Sequence, residues 1–188
     1  MAIKPTIYKL RVAVSDLNRD HYAAYNLTIA QHPSESLERM TARIMAFCLH
    51  AQTELTFTKG LSDTEEPDIW HKTLDDQIEL WLEVGEPMPD RVKKASRLAT
   101  KVQVYSFNSK SDTWWQQNQA KMQRFNTNAH STSNAEPNVK FHQFQWPEIQ
   151  ALAALTQRTM DWSVTITEQT LYIATETQEC QVSWHSLQ

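Results

Sequence analysis

A mixed α/β fold is what this sequence predicts, and three observations predict it. Both ends of the chain alternate apolar and polar residues with the period of two that a half-buried strand requires. Between them, Leu37, Met40, Ile44, Phe47 and Ala51 recur at helical spacing. Further on, a strand, a helix and a strand follow in that order over 77–107, the arrangement of a parallel crossover.

Each element has its own warrant. Thr6, Tyr8, Leu10, Val12 and Val14 alternate with Lys9 and Arg11 and predict a first strand. Asp16-Leu17-Asn18-Arg19-Asp20 is turn-like, and Tyr22 to Ile29 predicts the return arm of a hairpin. His32-Pro33-Ser34 closes that arm; Ser34 fits an N-cap, and Glu35 suits the positive end of the next helix. Glu38 stands beside the apolar stripe, in line with Ala42, Met45 and Leu49, so it is an acid near the core-facing side. Leu55 to Thr58 reads as a short strand, and Pro67 fits the start of a helical turn that buries Ile69 or Trp70.

Gln77 to Val84 predicts a strand, and Pro89 or Asp90 opens a helix running to about Thr100 with Val92, Ala95 and Ala99 inward. Val102, Val104 and Phe107 predict the next strand, and Ser111 or Asp112 caps a helix from Trp114 to about Phe125. Residues 126–138 are rich in Asn, Ser and Thr without periodicity and predict a mobile loop. Val139 to Trp146 is a strand, Pro147 opens a helix with Ile149, Leu152 and Leu155 inward, and three short strands complete the chain.

With 188 residues the chain predicts one domain, 1–188, large enough to bury a core without disulfides. A net charge of −4 argues against a general polyanion binder, so any nucleic-acid surface has to be local. Cys48 and Cys180 lack metal-ligand spacing and predict buried free thiols, which suit a reducing compartment. The opening residues resemble no signal peptide and no apolar run approaches membrane-spanning length; the expectation is a cytoplasmic protein without a membrane partner. Only Gly60 and Gly85 are glycines, which excludes a Walker A loop, a dinucleotide-binding turn and a nucleophile elbow. The seven histidines show no HxxxH spacing.

The segment with most chemistry is Ile78-Glu79-Leu80-Trp81-Leu82-Glu83-Val84-Gly85. Strand alternation places Glu79 and Glu83 beside Trp81 on one side and Ile78, Leu80, Leu82 and Val84 on the other. Carboxylates on a half-buried strand are costly unless solvated, paired or bound to a cation. Nine acids and one lysine occur from Asp63 to Glu86, and Arg91, Lys93, Lys94, Arg97 and Lys101 follow. A carboxylate strand running into a basic helix is the local chemistry of a divalent-metal site that handles phosphates.

These residues resemble the YaeQ family of small bacterial proteins. The resemblance rests on Ile3-Lys4-Pro5-Thr6-Ile7-Tyr8-Lys9, on His32-Pro33-Ser34-Glu35 with Glu38-Arg39-Met40, and on Phe57-Thr58-Lys59-Gly60-Leu61. It continues through Leu80 to Gly85, Lys93-Lys94-Ala95 and Trp114-Trp115-Gln116-Gln117-Asn118-Gln119. It implies the restriction-endonuclease-like fold of the PD-(D/E)xK superfamily: a central mixed sheet flanked by helices, here with extra antiparallel hairpins at both termini. Carried over residue by residue, Glu38 matches the helix acid and Glu83 the acid of the last motif. Pro67-Asp68 supplies the Asp, with Asp76 or Glu79 as alternatives. The acid-x-Lys motif is broken, because Gly85 stands at the lysine position. Lys93 or Lys94 of the following helix is the candidate replacement, Lys94 preferred.

The implied activity is metal-assisted cleavage of nucleic-acid phosphodiesters, with Mg²⁺ or Mn²⁺ and no organic cofactor. Asp68, Glu79 and Glu83 are the candidate ligands, and Glu38, Asp68, Glu83 and Lys94 the candidate catalytic set. Each residue has a plainer role. Glu38 near a helix N-terminus contributes roughly 0.3–1 kcal/mol without any function. Glu79 and Glu83 paired with lysines on a solvated face contribute roughly 0–1 kcal/mol. The broken motif also fits a non-catalytic factor related to transcription or repair that binds nucleic acid or a protein. A third possibility, a purely protein–protein adaptor, predicts an exposed apolar patch around Trp114 or Trp115.

Overall fold

A computed structural model describes residues 4–125 and 137–188. It contains ten strands and four α-helices among the described residues. The strands are β1 (Thr6–Asp16), β2 (His21–Gln31), β3 (Thr56–Phe57), β4 (Ile69–Lys72), β5 (Ile78–Val84), β6 (Ala99–Ser106), β7 (Val139–Phe144), β8 (Thr159–Thr167), β9 (Thr170–Ala174) and β10 (Glu179–Ser186). The helices are α1 (Leu37–Leu49), α2 (Pro89–Leu98), α3 (Ser111–Met122) and α4 (Trp146–Ala153).

All strands join one sheet of order β2-β1-β8-β9-β10-β7-β6-β5-β4-β3. The terminal hairpins are antiparallel, as predicted, and a parallel β1–β8 pairing ties them together. β10 spans two neighbourhoods, pairing with β9 over its first residues and with β7 from Trp184 to Ser186. β5, β6 and β7 are parallel, so the predicted crossover through α2 is present.

Local chemistry explains the elements that differ from prediction. Ser36, not Ser34, caps α1, its side chain accepting the Arg39 amide. The helix is not merely amphipathic: every residue from Met40 to Leu49 is buried. Sheet strands and α4 enclose it, so its residues are apolar all round except Arg43 and Thr41. Each large side chain it buries contributes roughly 1.5–3 kcal/mol relative to exposure. Pro67 opens no helical turn. The Asp68 amide donates to the Leu82 carbonyl and starts antiparallel β4, which buries Ile69. Lys101 belongs to β6 rather than to the basic helix.

The predicted loop 126–138 lies outside the described residues apart from its last two. Of these, Asn138 is buried, and its carbonyl accepts the Val102 amide at 2.7 Å. No helix among the described residues is long and apolar enough to cross a membrane. Both cysteines are free thiols; Cys48 is buried, and burial pushes it up to about 12.

β5 is covered on both faces, which decides where its acids go. Leu80, Leu82 and Val84 pack with α1, whereas Trp81 packs with Val92 and Ala95 of α2 and with Trp114 and Trp115 of α3. The two α3 tryptophans are anchors against Phe141, so they offer no exposed patch.

Candidate functional site

A cleft of about 510 Å³ opens at the C-terminal end of β5, within the size range of ligand sites. Asp68, Glu83, Arg39, Arg91, Gly60, Gly85, Glu86 and Asn108 are among its walls. The β4–β5 register pairs Ile69 with Leu82, so its continuation sets Asp68 opposite Glu83. Both carboxylates are buried, at 2% and 4% exposure.

Arginines from two helices meet them. Arg39 of α1 donates through Nη2 to both Asp68 oxygens, at 2.8 and 3.0 Å, and through Nη1 to Glu35 at 2.8 Å. The Val84 amide also donates to Asp68 Oδ2, at 2.8 Å. Arg43, one turn further along α1, grips Glu35 through Nε and Nη2 at 2.8 and 2.7 Å. Arg91 of α2 donates through Nε to Glu83 Oε1 at 2.8 Å and to the carbonyls of Thr64 and Glu66, both at 2.7 Å. The Trp81 indole donates to the same Glu83 oxygen at 2.7 Å. Glu83 Oε2 has no hydrogen bond among the described residues.

Burial is the main cause that raises the Glu83 carboxyl to about 7; the Asp68 charge adds to it, and Arg91 and Trp81 oppose it. Burial also works against the Arg39 charge, but the Asp68 and Glu35 carboxylates outweigh it and hold the guanidinium above its ordinary value. A neighbouring carboxylate that resists ionisation and a spare oxygen are what an added cation would relieve.

The remaining predicted residues lie elsewhere. Glu38 is half-buried and does not line the cleft; Glu35, one turn earlier, is the acid that reaches the Arg39–Asp68 network. Glu79 is exposed and pairs with His71 at 3.0 Å. Asp76 lies on an exposed turn at positive φ beside Lys72. Lys94 pairs with Glu65, and Lys93 is exposed; neither lines the cleft. The lysine position itself is closed by backbone geometry. Gly85 has φ +119°, which L side chains rarely adopt, and its amide donates to the Tyr105 carbonyl at 2.8 Å. Sequence reasoning missed Arg39, Arg43 and Arg91 as partners of these acids. A signal for the first two was present: Glu35, Arg39 and Arg43 recur every four residues, and Arg43 interrupts an otherwise apolar run.

The YaeQ family, described as "YaeQ protein", matches residues 1–184. The chain belongs to the YaeQ family. It is 34% identical to the "Uncharacterized protein YaeQ" of Escherichia coli (strain K12) over 184 residues, covering 97% of this chain and 96% of that protein. The namesake from Salmonella typhi is 44% identical over 126 residues, 66% of this chain and 70% of the relative. Two crystal structures are similar throughout. YaeQ from Xanthomonas axonopodis pv. citri superposes with a TM-score of 0.89 at 30% identity, covering 98% of both chains. YaeQ from Pseudomonas syringae gives a TM-score of 0.85 at 32% identity, covering 98% of this chain and 96% of that one.

Oxygen donors of this kind suit a hard cation. Among the described residues no group of three or more His, Cys, Asp or Glu is arranged to hold a metal ion. An ion of the Mg²⁺ type takes one or two carboxylates and completes its shell with water and substrate oxygen, so two carboxylates are the number such an ion would need.

Proposed function

We propose that the cleft of this YaeQ-family protein binds a divalent cation, Mg²⁺ or Mn²⁺, at Asp68 and Glu83 and acts on nucleic-acid phosphodiesters. The observation that carries this reading is the pair of buried carboxylates, one just before β4 and one on β5, lining a cleft that also presents two arginines. A cation held there supplies Lewis-acid polarisation of a phosphoryl oxygen and a bound water of lowered pKa. Arg91 and Trp81 both hold Glu83 Oε1, which leaves the other carboxylate oxygen for a ligand. The Val84 amide fixes Asp68. Arg39 would supply a permanent positive charge in the cleft in place of the missing lysine, to offset charge developing on the phosphoryl group.

The test is purified protein with Mg²⁺ or Mn²⁺ and a panel of single- and double-stranded DNA and RNA. Metal-dependent cleavage that falls to background in Glu83→Ala supports the reading; cleavage that survives in the variant removes this site from it. A second reading is a non-catalytic binding factor for nucleic acid or protein. The backbone at Gly85 favours it, because a motif lysine cannot be seated there without strain. Saturable nucleic-acid binding without cleavage under every metal condition would select it.

A further inference from the structure

The two cleft arginines are held differently, and the difference bears on how a cation and a phosphate would enter. Arg91 is committed at three points, to Glu83 and to the carbonyls of Thr64 and Glu66. Arg39 is held by carboxylates alone: Glu35 on one side and Asp68 on the other. Its Nε has no acceptor among the described residues. Glu35 is itself immobilised by the two bonds from buried Arg43, so it forms a fixed pivot for the Arg39 side chain. The Arg39–Asp68 contact covers both oxygens that a cation needs. A cation at Asp68 would therefore meet a like charge in hydrogen-bond contact with its own ligand.

Resting on the cation-binding reading above, we propose that Arg39 is a built-in competitor for the Asp68 carboxylate, released when a phosphate diester takes its guanidinium. Guanidinium forms bidentate contacts with phosphate as readily as with carboxylate. The Glu35 pivot lets Arg39 change partner without leaving the cleft wall. Cation and phosphate then bind with positive coupling, and by linkage each raises the affinity for the other by the same factor. In the resting protein Arg39 compensates the buried Asp68 charge, as Arg91 does that of Glu83. In the loaded protein the cation does so.

The experiment is Mn²⁺ binding followed by electron paramagnetic resonance, with and without dimethyl phosphate, on wild type, Arg39→Gln and Arg39→Lys. Wild type should bind Mn²⁺ weakly alone and roughly tenfold or more tightly with dimethyl phosphate. Arg39→Gln should bind Mn²⁺ tightly alone and gain nothing from the diester. Arg39→Lys, which keeps the charge, should stay close to wild type without the diester. Equal Mn²⁺ affinity in wild type and Arg39→Gln overturns the proposal and leaves the cation site standing. Failure of both proteins to bind Mn²⁺ overturns the cation site as well. Should Arg39→Gln not fold, wild type decides alone, because an affinity indifferent to dimethyl phosphate overturns the coupling.

Discussion

The two ends of α1 both hold charge inside the protein, but they handle it in opposite ways. At the C-terminal end Arg19 bonds Asp16 at 2.6 Å and reaches the Ala51 carbonyl at 3.2 Å, next to the negative end of the helix. His50, the C-cap, bonds the Tyr105 hydroxyl at 2.7 Å, and burial lowers it to about 3, so it stays neutral. Asp16 and His50 are shielded and paired there, and Arg19 caps them from an exposed position. At the N-terminal end Glu35, Arg39, Arg43 and Asp68 form a more deeply buried chain, yet that chain ends at a cleft and at Glu83, whose second oxygen is unpaired among the described residues. The lesson is that burial of charge alone does not mark a site. What marks it is burial that stops one bond short beside an open cavity.

The largest effect that would break this contrast is at Arg43. Removing it leaves Glu35, whose side chain is 1% exposed, without its main partner. Breaking a buried pair in this way costs roughly 3–5 kcal/mol. Arg43→Ala should lower the urea midpoint accordingly; a midpoint within experimental error of wild type would show that the network contributes no stability.

Glu83 sharpens the comparison through pH. Its carboxyl ionises near 4.5 in the unfolded chain and about 7 in the folded one, so the folded state holds the extra proton between those values. Stability from this group is therefore intact below pH 4.5 and declines as pH rises to about 7, by an amount on the order of 1–3 kcal/mol. Glu83→Gln should raise the melting temperature at pH 8 and not at pH 4. Identical pH profiles for the two proteins would contradict the placement of this acid.

Smaller effects test the backbone and the closed end. Gly85→Lys rebuilds the motif lysine, but at φ +119° it should cost about 1–3 kcal/mol in denaturant unfolding. Unchanged stability would mean that the glycine conformation is not required. Arg19→Ala, at a side chain 38% exposed, should cost about 1 kcal/mol or less. It should leave divalent-cation binding at the other end of the helix untouched, as measured by Mn²⁺ titration.

Much of the fold was legible because periodicity and packing agree. β1, α1, the β5-α2-β6 crossover and the closing strands each carry a pattern that burial then uses. Glu83 was legible as a candidate because an acid in an apolar strand conflicts with its surroundings, whereas Asp68 was reached only through the family resemblance, which Pro67-Asp68 matches. The choice of Glu38 failed to anticipate geometry. The N-cap lies at Ser36, which starts the helix later than Ser34 would, and it is Glu35, just outside the helix, that turns inward. Lys94 looked suitable by order along the chain, yet the α2 residue one turn earlier, Arg91, reaches the strand, while Lys94 turns to Glu65. Such partner choices depend on helix rotation against the sheet, which residue spacing alone does not specify.

The central claim is that Asp68 and Glu83 together form the seat of one hard cation. Crystals soaked in Mn²⁺ and dimethyl phosphate, with diffraction recorded at the manganese edge, test it most directly. The account predicts an anomalous peak within about 2.0–2.6 Å of oxygens from both carboxylates, with Arg39 turned from Asp68 towards the phosphate. Saturating Mn²⁺ that leaves this position without a peak, or with both arginine–carboxylate pairs unchanged, would contradict it.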